Sequence, residues 1–153
     1  MIINYADKAV LKERNSIFLA GPTPRSTDIK SWRPEALKIL NDLGFEGVVY
    51  VPEREIDDRT NGGPAQAMWE REALFNAKVI VFWIPRSFPD MPAFTSNIEF
   101  GYWIAKDKNK VIYGRPDNSI KNSYLDWLYK LETKRTPCSN LGDLLEKALE
   151  LSF

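Results

Sequence analysis

The residues in this chain best suited to do chemistry are carboxylates. Glu99 lies in the run Phe94-Thr95-Ser96-Asn97-Ile98-Glu99-Phe100-Gly101-Tyr102, which follows the most apolar segment, Val79-Ile80-Val81-Phe82-Trp83-Ile84. Glu70 and Glu72 lie just upstream of that segment, in Trp69-Glu70-Arg71-Glu72. Two carboxylates suffice for glycosyl transfer, one as nucleophile and one managing the proton on the leaving group. The chain contains no histidine and one cysteine, Cys138. Ser-His-Asp and Cys-His catalysis, His-ligated metals and Cys-cluster zinc sites are thereby excluded. Carboxylates, Tyr, Lys and Arg remain.

Each candidate also has a plainer explanation. Ser96-Asn97-Ile98-Glu99 matches the capping box S-x-x-E, in which the glutamate only bonds back to the helix start. In its favour, a helix N-terminus stabilises the ionised carboxylate a nucleophile needs. Phe94, Phe100, Tyr102 and Trp103 also surround Glu99, as stacking of a planar ligand would require. Glu70 and Arg71 cannot both point inward, since neighbours on a helix diverge by about 100°. Gly21-Pro22-Thr23-Pro24-Arg25-Ser26 is neither G-x-G-x-x-G nor a P-loop, and its prolines remove donors a phosphate cradle would use. Gly21 could admit a ligand close to the backbone, and Arg25 could reach a carboxylate or phosphate. The alternative is a turn with a solvated arginine. Arg86, Asp90, Arg115, Asp117 and Asn118 lie in loops, where they are either surface residues or ligand contacts.

Strand and helix patterns alternate to position these residues. Buried strands are expected at 16–20, 47–51, 79–84 and 110–113, with a weak fifth near 136–138. Helices are expected at 31–43, 64–77, 96–106, 121–132 and 140–151. Residues 1–15 fit an arm, an edge strand or a helix. This alternation predicts an α/β, doubly wound, mainly parallel sheet of about five strands with helices on both faces, in the flavodoxin-like order 2-1-3-4-5. Helix-to-strand connections are short, whereas the loops at 21–30, 52–63, 85–95 and 114–120 are long and rich in Gly, Pro and polar residues. In a parallel sheet those four emerge at one edge, the usual place for a site. The Trp127, Leu128 and Leu131 face of the fourth helix reads as core or subunit interface, and Leu141, Leu144, Leu145, Ala148 and Leu149 as core.

The 153 residues are read as one domain, residues 1–153. Lys plus Arg equals Asp plus Glu at 21 each, which argues against a nucleic-acid-binding surface. A lone cysteine, no apolar signal core and no run long enough to span a bilayer predict a cytoplasmic protein.

Ile17-Phe18-Leu19-Ala20-Gly21-Pro22, the stretch from Trp69-Glu70 through Phe82-Trp83-Ile84-Pro85, and Asn97-Ile98-Glu99-Phe100-Gly101-Tyr102 together resemble the nucleoside 2-deoxyribosyltransferase-like family. The resemblance implies a doubly wound sheet and a glutamate nucleophile at Glu99. It also implies a second carboxylate for the base proton, best matched by Glu70, and a loop carboxylate matched loosely by Asp90. The family's familiar members have aspartate at the position of Glu70 and tyrosine where this chain has Phe18. The activity implied is (deoxy)ribosyl transfer through a covalent glycosyl-glutamate, without cofactor or metal. The substrates would be a nucleoside or nucleotide and a free nucleobase. Substrate contacts are expected at Phe18, Gly21, Pro22, Arg25, Arg86, Phe94, Asn97 and Tyr102, with Trp103 a further stacking candidate. A homo-oligomer is implied, since family members often complete each site with a neighbouring subunit. The competing readings are a hydrolase on the same bond, a non-catalytic nucleotide sensor, and a flavodoxin-like FMN or receiver domain. Against the last, Ala20-Gly21-Pro22 lacks a receiver's acids.

Overall fold

The computed structural model describes residues 1–60 and 62–152, so Asn61, within the expected 52–63 loop, and Phe153, at the end of the expected 1–153 domain, lie outside the described residues. Its ten elements run β1 (Ile2–Tyr5), β2 (Ser16–Ala20), α1 (Arg33–Asp42), β3 (Val48–Val51), α2 (Gly63–Asn76), β4 (Val79–Trp83), α3 (Phe94–Asp107), β5 (Val111–Gly114), α4 (Ser123–Thr133) and α5 (Leu141–Ser152).

β2 through β5 are buried along their whole length, which is why they read as continuous apolar runs. Their side chains alternate between two cores. Phe18, Tyr50, Ile80, Phe82 and Tyr113 pack against α2, α3 and α4. Ile17, Leu19, Val49, Val81 and Ile112 meet residues of α1 and α5, such as Leu40 and Leu144. Each such buried aliphatic or aromatic side chain contributes roughly 1.5–3 kcal/mol.

All strand pairs are parallel, in the order β1-β3-β2-β4-β5. The four expected central strands keep the anticipated arrangement. The fifth strand differs: the 136–138 segment supplies only an isolated bridge, Gly114 to Cys138. The edge position goes instead to Ile2–Tyr5, paired with β3. Half-exposed and only four residues long, β1 carried too little apolar signal to be separated from an arm. It is anchored by Asn4, whose Nδ2 donates to the Ala9 carbonyl at 3.0 Å and whose Oδ1 accepts the Leu11 N–H at 2.9 Å.

The expected helices all form, with ends shifted by one or two residues. α1 stops at Gly44, which takes φ +74° while the Phe45 N–H reaches back to Leu40. α4 buries Leu125 and Tyr129; of the Trp127, Leu128 and Leu131 face, Leu128 packs against the core while Trp127 and Leu131 are 53% and 46% exposed. α5 buries Leu141, Leu144, Leu145 and Ala148 as its spacing requires. No helix among the described residues is long and apolar enough to cross a membrane.

Candidate active site

The four long loops emerge together at the C-terminal edge of the sheet, and three of them enclose a cavity of about 490 Å³. Phe18 and Ala20 at the end of β2 form part of its lining, the 21–25 and 52–60 segments wall it, and Phe94, Thr95 and Ser96 form the opposite wall. Below it, Trp69 packs against Phe18 and Tyr50 with ring centroids 6.3 and 6.4 Å away. Gly21 is obligatory where β2 ends. At φ +149°, a Cβ there would lie 2.1 Å from the Trp83 carbonyl oxygen.

Glu99 reaches the cavity from α3 and Glu70 from α2. Glu99 does not act as a helix cap. α3 begins at Phe94, behind Ala93 in the left-handed conformation, without a side-chain cap. Ser96 and Glu99 are therefore interior helix residues. The helix-dipole expectation fails with the capping box: Glu99 lies in the second turn, beyond the free N–H groups that favour an ionised carboxylate. Burial instead pushes its carboxyl up to about 8, helped by the charge of Glu70 and opposed by Arg33. Glu99 makes no side-chain hydrogen bond among the described residues. Glu70 is also raised, chiefly by burial; Gln66 and Arg33 act against the shift. Gln66 precedes Glu70 by one helical turn and donates from Nε2 to its Oε1 at 2.9 Å.

Behind the carboxylates lies Arg33, at 1% exposure. Its Nε donates to the Leu19 carbonyl at 3.0 Å and its Nη2 to the Gly21 carbonyl at 2.7 Å. Its Nη1 donates to Thr23 Oγ1 at 2.8 Å and to Glu53 Oε1 at 2.6 Å. The guanidinium thus shapes the β2–α1 loop and supplies positive charge to a cavity that holds several acids. At the rim, Arg59 ties the 52–60 segment to the β2–α1 loop by donating to the Ile29 and Pro24 carbonyls at 2.8 and 3.2 Å.

A family model described as nucleoside 2-deoxyribosyltransferase like matches residues 14–117, from just before β2 to just past β5. The chain belongs to the nucleoside 2-deoxyribosyltransferase-like family. The matched span contains every residue that lines the cavity. Among curated proteins no match is found.

Of the family-implied residues, Glu99, Glu70, Phe18, Gly21, Pro22, Arg25 and Phe94 line the cavity together. Asp90, Arg86, Asn97 and Tyr102 are not among the lining residues. Asp90 instead accepts the Arg25 N–H on its backbone carbonyl at 3.0 Å. Arg86 is 3% exposed and engaged at all three nitrogens: it donates to the Pro92 carbonyl, to Asn97 Oδ1 at 2.5 Å and to Asn122 Oδ1 at 3.3 Å. It holds the 85–93 loop in shape and thereby sets where α3 begins. Tyr102 follows Glu99 by about 4.5 Å along the helix axis, away from the sheet edge. There it meets Phe75 and Trp103, and Trp103 itself is buried in the core beneath the site.

Arg33, Glu53 and Gln66 were not anticipated. Glu53 had a visible signal, since it follows strand residues 48–51 at the same edge that singled out Glu99. Gln66 had one too, four residues before Glu70. Arg33 had none, because only the packing of α1 under the β2 loop brings it to the site. Among the described residues, no group of three or more His, Cys, Asp and Glu side chains is arranged to hold a metal ion.

Proposed function

We propose that this protein is a nucleoside (deoxy)ribosyltransferase that cleaves an N-glycosidic bond through a covalent glycosyl-Glu99 intermediate. The observation that carries this reading is the pair Glu70 and Glu99. Both carboxyls face one cavity, both are raised by burial, and only Glu70 is held by a hydrogen bond. Like charges so placed favour sharing one proton. A proton held on Glu70 removes the smaller cause of the rise at Glu99 while burial, the larger, remains, so the nucleophile is the ionised fraction of Glu99, which grows as pH approaches 8.

In the first step a Glu99 oxygen bonds to the anomeric carbon as the C–N bond breaks. The electron pair of that bond passes to the base nitrogen, which takes the Glu70 proton. In the second step the nitrogen of an incoming base attacks the same carbon, Glu99 departs as carboxylate, and Glu70 recovers a proton. Water in place of the second base would make the enzyme a hydrolase. Phe18 and Phe94 are the aromatic side chains of the wall available to the base. Of the arginines on the edge loops, Arg54, Arg59, Arg86 and Arg115 are closed on protein partners, Arg54 on Asp58 at 2.9 Å and Arg115 on Asp126 at 2.7 Å. Arg25 is exposed, lines the cavity and has no side-chain partner among the described residues, which favours a 5′-phosphate there. Assembly into a homo-oligomer belongs to the same reading; the exposed Ile98, Tyr124 and Trp127 of α3 and α4 suit it, and light scattering tests it.

The test is base release, followed by liquid chromatography and mass spectrometry. Ribo- and deoxyribonucleosides and their monophosphates are offered with and without a second base. The expectation is release by the wild-type protein, lowered at least about 10³-fold in Glu99→Ala. Dependence on the second base marks a transferase, and independence a hydrolase. No release from any substrate, or release unchanged in Glu99→Ala, overturns the proposal.

A further inference from the structure

We propose that Glu53 is a substrate-binding residue, whose free carboxylate oxygen accepts a hydrogen bond from an O–H or N–H of the nucleoside. The inference rests on the function proposed above and concerns which nucleosides the cavity accepts.

Glu53 leaves the C-terminal end of β3 after Val51 and Pro52, and its side chain is only 9% exposed. One oxygen is fully used: Oε1 accepts the Ser31 hydroxyl at 2.6 Å and the Arg33 Nη1 at 2.6 Å. Arg33 cannot shift to follow a moving partner, because its other donors are fixed on Leu19, Gly21 and Thr23. The carboxylate is therefore held in one orientation. Its second oxygen, Oε2, has no hydrogen bond or ion pair among the described residues, while the residue lines the cavity.

A carboxylate can accept about four hydrogen bonds, and Oε2, which is not among the buried unpartnered side-chain atoms, keeps its share open on the cavity side, where a ligand donor takes the place of water. An ion pair serving only to hold the β2–α1 loop would need Oε1 alone. Because an ionised carboxylate accepts and never donates, the missing partner is a donor. On a nucleoside the donors are the sugar hydroxyls and the N–H or amino groups of the base. A phosphate is excluded at this point by like charge. Glu53 thus differs in role from Glu70 and Glu99. Its charge is matched by a contacting guanidinium, which suits a fixed recognition group and not a proton carrier.

The test pairs Glu53→Gln with substrate analogues that each lack one donor. Adenosine is compared with 2′-deoxyadenosine, 3′-deoxyadenosine, 5′-deoxyadenosine and purine riboside, which lacks the amino group. Uridine is compared with 2′-deoxyuridine, 3′-deoxyuridine, 5′-deoxyuridine and 3-methyluridine. For wild-type and variant protein, kcat/KM comes from base release and Kd from calorimetry. The expected result is a loss of about 10- to 100-fold in the variant for every analogue that keeps the donor. For the one that lacks it, the loss falls to within about twofold, and that analogue identifies the donor. A loss equal across the whole series means that Glu53 only supports the loop, and it overturns the inference while leaving the glycosidic reading intact. No loss for any analogue overturns it equally. If wild-type protein neither binds nor cleaves any member, the proposed function falls, and this inference with it.

Discussion

Arg33 and Arg86 stand on opposite sides of the cleft, one after β2 and the other after β4, and are equally withdrawn from water at 1% and 3% exposure. Arg33 is balanced by a carboxylate, Glu53, and its field reaches both Glu70 and Glu99. Arg86 has only neutral acceptors, from Pro92, Asn97 and Asn122, and burial holds its guanidinium below the usual range. The difference teaches that a buried arginine beside a site need not belong to it. One belongs to the electrostatics of the cavity, whereas the other is a scaffold for the loop that launches α3.

Substituting each arginine by a neutral side chain of similar shape is the direct way to break this contrast. Arg33→Met leaves Glu53 as a buried, unmatched charge, and we expect a loss of about 3–5 kcal/mol in urea unfolding. Adding Glu53→Gln to it should restore part of that stability, because the stranded charge disappears. Arg86→Met strands neutral oxygens only, so the expected loss is smaller, about 2–3 kcal/mol. No single carboxylate change can restore it, since no carboxylate is involved. Equal losses, or a rescue of Arg86→Met by Glu53→Gln, would end the distinction.

A gentler probe is pH. Glu99 binds its proton up to about pH 8 in the folded state, against a usual value of 4.5. Between those values the folded protein holds more protons than the unfolded chain, so this group makes stability fall as pH rises. Glu99→Gln should therefore be nearly neutral at pH 5 and stabilising by about 1–2 kcal/mol at pH 9, read from paired thermal melts. The smallest effect is expected at Arg25. Arg25→Met should change stability by less than about 0.5 kcal/mol, having no partner to strand. If Arg25 binds a phosphate, it should still weaken monophosphate binding in calorimetry and leave the matching nucleoside unaffected.

The same contrast explains what could be read from the sequence. The central strands and all five helices were legible because burial on both faces writes continuous apolar runs and amphipathic spacing writes helices. Glu99 was legible as a carboxylate past a central strand, but not for its environment. A capping-box spelling and an assumed helix start two residues too late concealed that it lies inside the helix, raised by burial. Glu70 was legible only as one of two acids. Arg86, read as a ligand contact, is sequestered because three loop and helix-start oxygens converge on it, which no local pattern reveals. The Arg33–Glu53 pair joins residues from successive strand–helix units, so it exists only once β2 and β3 lie side by side.

The sheet order also bears on how the chain is made. A strand leaving the ribosome can pair only with what has already emerged, and here neither β1 nor β2 finds a partner until β3 appears. β1 pairs solely with β3, and β2, between them in the chain, also needs β3 or β4. At ordinary synthesis rates of about 5–20 residues per second, β1 waits roughly two to ten seconds for its partner. During that interval Ile2 and Ile3 travel as an unpaired apolar segment, a natural target for a chaperone that captures nascent chains.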